Sequence, residues 1–300
     1  MKTAAGLAAL LALAALTLAP SPAASAADGK KESKIAVVAA ENFYGDIARQ
    51  IGGDHVTVVS IMNNPDQDPH LFETTPGIVR QIANAQIVVF NGANYDPWME
   101  KLLKAAPRPG RLEINVAALT ARKPGSNPHL WYDPTLMRRV ATALEADFNK
   151  ADKAHAADYS ARLNTTLASL MRVAERVAQI KAKYAGQAVT ASEPVFGLMA
   201  EALGLQMRNE RFQLSIMNDT EPSAHDVAAF EQDLKERKVR VMFYNKQASD
   251  KVVQHLVALA RAANIPVVGI TETAPPGLSY QDWMLDELNA TEKALAGPSS

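Results

Sequence analysis

The sequence predicts an α/β protein of two lobes, each a parallel sheet flanked by helices, joined by one long rigid helix. Three observations predict it. Short apolar runs rich in β-branched residues alternate with helical patterns from residue 33 onward, the signature of parallel βαβ units. A helical pattern from about Ala151 to Tyr184 then interrupts the alternation. Beyond it the alternation resumes. The expected organisation is a targeting segment at 1–26, an N-terminal lobe at 27–150, a connecting helix at 151–185 and a C-terminal lobe at 186–300.

The first strand is "SKIAVVAA" (33–40), followed by a helix from about Phe43 to Ile51 that stops at Gly52-Gly53. "HVTVVSIM" (55–62) is the next strand and leads into a loop crowded with Asn, Asp, Gln and Pro. "TPGIVRQIANA" is a helix with proline in its first turn, where the missing N–H is not needed. "QIVVFNG" (86–92), "YDPWMEKLLKAA" and "RLEINVA" read as strand, helix and strand. A helix over residues 135 to about 150 precedes the long one. In the long helix Leu163, Leu167, Leu170, Ala174, Val177 and Tyr184 fall mostly at three- and four-residue steps, leaving Lys and Arg opposite. Gly186 ends it. "QAVTAS", "VFGLMAEALG", "HDVAAFEQDLKERK", "VRVMFYN", "SDKVVQHLVALARAAN", "PVVGIT" and a last helix from Tyr280 complete the alternation.

The totals bound the class. Of 300 residues 48% are hydrophobic and 21% charged, which fits a globular chain with a sizeable core. Net charge is −1, so there is no basic footprint for nucleic acid. At the N-terminus Lys2, an apolar run, Pro-Ser-Pro and then Ala-Ser-Ala at 24–26 form the three parts of a secretory signal, with cleavage expected after Ala26. The apolar run is short for a membrane span of about 20 residues. The chain has no cysteine. A lipid-anchored secreted protein needs one at its cleavage site, so a periplasmic protein without lipid is expected. Any metal must be held by nitrogen and oxygen.

Six histidines are present, and two of them, His70 in "NNPDQDPHLFETTP" and His129 in "GSNPHLWYDP", directly follow prolines in turn-rich loops. Proline stiffens the backbone that presents the next side chain. In open parallel sheets ligands collect beyond the carboxyl ends of strands. Four such ends carry metal-capable groups: His70, His129, Glu193 after "AVTAS" and Glu272 after "VVGIT". Each has an ordinary account alone: a turn histidine, a helix-capping glutamate, a loop carboxylate. Their spacing is not diagnostic, but four strand ends, two from each half, converge on one chemistry. Two imidazoles with two carboxylates suit Zn²⁺ or Mn²⁺ more than Ca²⁺. Asp68 and Asp133 are placed to accept the second ring N–H of the two histidines, or to serve turns and caps. Ser223 with Asp226 forms a capping-box-like start, leaving His225 as a first-turn surface residue. His55, His155 and His255 are not expected to be ligands, and Trp98, Trp131 and Trp283 are expected to be packing anchors.

These motifs resemble those of the metal-binding periplasmic solute-binding proteins that feed zinc and manganese ABC importers, the TroA-like family. "DPHLFETTPGIVRQIANAQIVVFNGANYDPWMEKLL" is similar to the family's first ligand loop, and "NPHLWYDP" to its second, which more often reads Asp-Pro-His. "TASEPVFGLMAEALGL" is similar to the third, where His or Glu stands at the position of Glu193. "VVGITET" resembles the fourth, where Asp is usual and Glu272 stands here. The similarity runs from about Lys34 to Leu295. It implies two lobes tied by a rigid helix, metal held by His70, His129, Glu193 and Glu272, and delivery to an inner-membrane permease without catalysis. A monomer is expected. Zinc-selective members often carry a His-rich loop between the first two ligands, whereas this chain has only "ALTARKPGSN" there. The metal therefore stays open between zinc and manganese.

Two other functions compete on residues alone. A secreted metallohydrolase using His70 and His129 would need an open coordination position and a nearby base. Four protein ligands would close that position. A receptor for an organic solute would need several convergent polar and aromatic groups.

Overall fold

The computed structural model describes residue 1 and residues 33–64, 72, 74–123, 125–247 and 250–297. The targeting segment, Asp68 and His70 lie outside the described residues. Among the described residues no helix is long and apolar enough to cross a membrane.

Eight strands form two four-stranded parallel sheets. In the first, β1 (Ile35–Glu41) pairs with β2 (Val56–Met62) and β3 (Ile87–Phe90), and β4 (Leu112–Asn115) pairs with β3, giving the order β2-β1-β3-β4. In the second, β5 (Ala188–Ala191) lies between β6 (Gln206–Arg208) and β7 (Met242–Asn245), with β8 (Val267–Ile270) beyond β7. The two orders are the same. Each chain reversal of strand order therefore falls between the first and third strand of its half, where α/β sheets open a crevice. β3 is buried at every residue and has the continuous apolar sequence that a strand covered on both faces requires.

Helices α1 (Asn42–Gly52), α2 (Pro76–Asn84) and α3 (Pro97–Ala105) connect the first sheet. In α2, Thr75 caps the first turn through its side chain and Pro76 occupies the first helical position. After α4 (Leu136–Ala151) the chain makes a 3-10 turn, Lys153–His155, and only then enters the long helix α5 (Ala156–Tyr184). The long helix expected from Ala151 thus starts later, at Ala156, with the 3-10 turn between it and α4. Asp152 separates them: its φ of −146° and ψ of 86° are non-helical, and its side chain accepts from the Ala154 N–H. Aspartate favours such a cap over a helix interior. The 29 residues of α5 span about 44 Å, and the helix packs on α1, α4 and α10 (Tyr280–Ala296). Its buried stripe runs through Tyr159, Thr166, Leu170, Val173, Val177 and Ile180, so Leu163, Leu167 and Tyr184 are only partly covered.

In the second half, α6 (Gly197–Ala202), α7 (Glu210–Met217), α8 (Ala224–Lys235) and α9 (Lys251–Ala262) surround β5 to β8. Ser223 caps α8 as its sequence predicts, and its hydroxyl bonds the Asp226 carboxylate. β6 and α7 are absent from the expected element order. "QMR" is three residues long on an edge, with no buried residue to give it a pattern.

All of these elements belong to one unit beginning at Lys34. Its largest buried cluster takes side chains from both halves. Trp131 and Trp283 are buried there, each within 6 Å of Phe43. Tyr280 Oη donates to the Trp131 carbonyl and Tyr132 Oη to the Thr271 carbonyl, so the halves share hydrogen bonds as well as apolar contact. Trp98 is partly covered and packs on Phe72.

Candidate metal centre

The carboxyl ends of the parallel strands are polar in an otherwise apolar interior. Glu41 ends β1, Asn91 follows β3, Glu193 stands two residues beyond β5, Asn245 ends β7, and Glu272 stands two residues beyond β8. All five side chains are buried. Buried polar groups are stable only when hydrogen-bonded or engaged by an ion, so five at strand ends mark a site rather than a core.

His129 is fully buried in the loop before a 3-10 turn at Leu130–Tyr132. Asn127 controls it. The Asn127 side-chain oxygen accepts the His129 backbone N–H at 3.0 Å and lies 2.7 Å from ring Nδ1. An atom that accepts from a backbone N–H is an oxygen, so Nδ1 carries the ring proton and Nε2 holds the lone pair. That Nε2 is buried, has no hydrogen-bond partner among the described residues, and sits 3.6 Å from Glu272 Oε2. Two donors on one tetrahedral ion at ordinary bond lengths stand about 3.4 Å apart. The Asn127 amide nitrogen donates to the Pro194 carbonyl at 2.6 Å, tying this loop to the residue after Glu193. Asn91 braces the same loop from the first sheet: its amide donates to the Pro128 carbonyl, and its oxygen accepts from Tyr44.

Glu272 is held on both oxygens. Asn245 Nδ2 donates to Oε1 at 2.6 Å and Tyr95 Oη to Oε2 at 3.0 Å. Burial, and then the Glu272 charge, push the Tyr95 phenol above its ordinary range, so it remains a donor. Asn245 is itself fixed by Ser192 Oγ, which accepts its backbone N–H. Glu193 is 4% exposed. His129, Glu193 and Glu272 do not by themselves bring three donor atoms within 4.8 Å of one another.

Beside this set lie two carboxyls that the strand-end reading missed, Glu41 and Asp96. Burial, and then the neighbouring Asp96 charge, push Glu41 well above the usual carboxylate range. Burial lifts Asp96 to about 6, although it accepts the Asn91 and Gly92 N–H groups at 2.7 Å each. Glu41 therefore takes up a proton more readily than an exposed glutamate, and Asp96 caps the turn after β3. Of the two readings of Asp133, the structure takes the turn and cap role. Its carboxylate accepts from Thr135 N and Oγ1 and pairs with Arg122, so it caps the approach to α4, and the His129 ring proton goes to Asn127 instead.

The profile described as "Zinc-uptake complex component A periplasmic" (ZnuA) matches residues 37–294. The chain belongs to this family. Among curated relatives of this ZnuA-family chain, a protein described as a putative metal-binding protein of Treponema pallidum is 24% identical over 287 residues, 88% of each chain. The manganese-binding lipoprotein MntA of Bacillus subtilis is 23% identical over 241 residues, 77% of each chain. The periplasmic zinc-binding protein TroA of Treponema pallidum superposes with a TM-score of 0.74 at 20% identity, covering 88% of this chain and 99% of TroA. A crystal structure of ZnuA gives 0.72 at 22% identity, covering 89% and 100%. The ZnuA-family chain therefore shares the TroA fold of two parallel sheets and a long joining helix.

Proposed function

We propose that this chain binds one divalent transition-metal ion, zinc or manganese, between its two sheets and delivers it to an ABC importer in the inner membrane. His70, His129, Glu193 and Glu272 hold the ion, and no reaction is catalysed. The observation that carries this reading is the His129 imidazole: buried, fixed by Asn127 in the tautomer that leaves Nε2 as donor, and spaced from Glu272 as two ligands on one ion are. Two carboxylates balance the charge of the ion and two neutral imidazoles complete it. The family and the names of its relatives support the cargo class. Glu193 approaches the other donors when the ion is bound, as the Asn127 to Pro194 link allows the two loops to move together. We further propose a periplasmic monomer, cleaved after Ala26 and without lipid, with lobes at 27–150 and 186–300 flanking the connecting segment at 151–185.

The test is competitive loading of chelator-stripped protein at buffered free metal. His70→Ala and His129→Ala each weaken binding by at least about tenfold and remove the metal-dependent rise in melting temperature, since a ligand bound only by the native state adds RT ln(1 + [L]/Kd). Glu272→Gln still binds but releases the ion faster. His255→Ala, on an exposed histidine paired with Glu231, changes neither. Unaltered affinity in both loop-histidine variants places the site elsewhere.

A further inference from the structure

Two histidines that the cargo site does not use meet where β2 and the long helix begin. His55 closes the 3-10 turn Gly53–His55 that leads into β2, and His155 closes the turn between α4 and α5. Their rings stack at 3.8 Å between centroids and 21° between planes. Stacked imidazoles that both gained protons would repel, and the surroundings supply carboxylates instead. Asp158 Oδ2 lies 3.0 Å from His55 Nε2, and Asp152 Oδ2 lies 2.6 Å from His155 Nδ1. Among the described residues, His55, Asp152 and His155 are the trio whose donor atoms all fall within 4.8 Å of one another.

We propose that His55, His155 and Asp152 form a second binding site for a borderline divalent cation of the Zn²⁺, Ni²⁺ or Cu²⁺ type. With Nε2 committed to Asp158, His55 offers Nδ1, and a carboxylate behind a ligating imidazole is the usual way such a ring is oriented and made more basic. Asp152 is oriented in turn by the Tyr159 hydroxyl, which donates to Oδ2 at 2.9 Å, and by the Ala154 N–H on Oδ1. Burial acts to raise the Asp152 carboxyl, but hydrogen bonds from His155 and Tyr159 overcome it and hold the group below the usual range, so it is an anion at neutral pH. Arg162 faces the cluster beside Gly53, opposite the Asp152 and Asp158 carboxylates. The three ligands are between a fifth and a quarter exposed, so an ion enters from solvent and keeps water in its remaining positions. Two imidazoles and one carboxylate favour zinc, nickel and copper over manganese, calcium and magnesium. Such an ion fastens the turn before β2 to the start of the long helix, two segments separated by about a hundred residues of chain.

Calorimetric titration of chelator-stripped protein with zinc tests this. We expect two classes of event, a tight equivalent and a weaker one. His55→Gln and His155→Gln, which keep a polar side chain at each position, each abolish the weaker event and leave the tight one intact. His129→Ala does the reverse, so loss of one class speaks to one site only. Circular dichroism and melting temperature of the metal-free variants within a few degrees of the parent show that the fold is retained. If His55→Gln unfolds the turn, an electron spin resonance spectrum of the parent with copper as the second equivalent, after one of zinc, shows coupling to two imidazole nitrogens. A single equivalent throughout the titration overturns the proposal, as does a weaker event that survives both substitutions, or copper with no nitrogen coupling.

Discussion

Asn127 does two things with one amide: it fixes the ring proton of His129 on Nδ1 and holds the Pro194 carbonyl next to Glu193. Removing it frees the imidazole to rotate and to change tautomer. Asn127→Ala is therefore expected to weaken metal binding by roughly 10- to 100-fold, the range for partners that orient a ligating histidine. Asn127→Asp keeps an acceptor for Nδ1–H but loses the donor to Pro194, so it should fall between the two. Competition with a chromophoric chelator measures both, and parental affinity in Asn127→Ala would remove Asn127 from the site. At this scale the sequence was partly legible. "NPH" pointed to His129 because a proline-stiffened turn presents the next side chain. The partner of the ring stayed open in the sequence, because Asp133 and Asn127 are both a few residues away and only the turn geometry sends Asp133 to Thr135 and Arg122. Glu41 escaped notice because it directly follows the apolar run at 33–40, although like Glu193 and Glu272 it lies at the carboxyl end of a parallel strand.

The elements show how far periodicity reaches. Leu170 belongs to both the expected and the observed stripe of α5, and it is 2% exposed. Leu163 belongs to the expected stripe only and is partly covered. Leu170→Ala is expected to destabilise the protein by about 2–5 kcal/mol, and Leu163→Ala by clearly less. Urea midpoints of the two variants decide this, and equal shifts would contradict the observed register. A helix boundary near residue 150 was legible, but the 3-10 turn that delays α5 to Ala156 was not, since helix runs on both sides of it. On α10, Glu287 is buried and receives the Trp283 indole N–H at 2.9 Å. Burial raises its carboxyl to about 8, against the hydrogen bonds from Tyr132 and Trp283 that act to lower it. Because the folded state then binds the proton more tightly than the unfolded chain, this group's stabilisation is complete below pH about 4.5 and is lost as pH rises through about 8. Glu287→Gln cannot ionise. The melting temperature of the parent should fall relative to Glu287→Gln between about pH 5 and pH 9, and parallel curves would mean that Glu287 ionises normally.

For the whole molecule, alternation of strand and helix was enough to anticipate two parallel sheets and a long connector. The pattern for β3 is carried by burial on both faces, which composition records directly. The edge strand β6 escaped, because nothing buried repeats across its three residues. The candidate centre was legible only as types of residue at strand ends. That His129 and Glu272 stand 3.6 Å apart follows from the shared core of Trp131, Tyr132, Tyr280 and Trp283, which sets the two halves against each other and has no local signature.

The central claim is that His129 offers Nε2, and not Nδ1, to a metal that Glu272 shares. Nitrogen-15 correlation spectra of the histidine rings, recorded before and after one equivalent of zinc, test it most directly. The account predicts an Nδ1–H tautomer for His129 in the metal-free protein. On loading, the Nε2 resonance moves to a ligated position, Nδ1 keeps its proton, and the His255 ring is unmoved. A proton on Nε2 in the metal-free protein, or a His129 ring that does not respond to a bound equivalent of zinc, would contradict it.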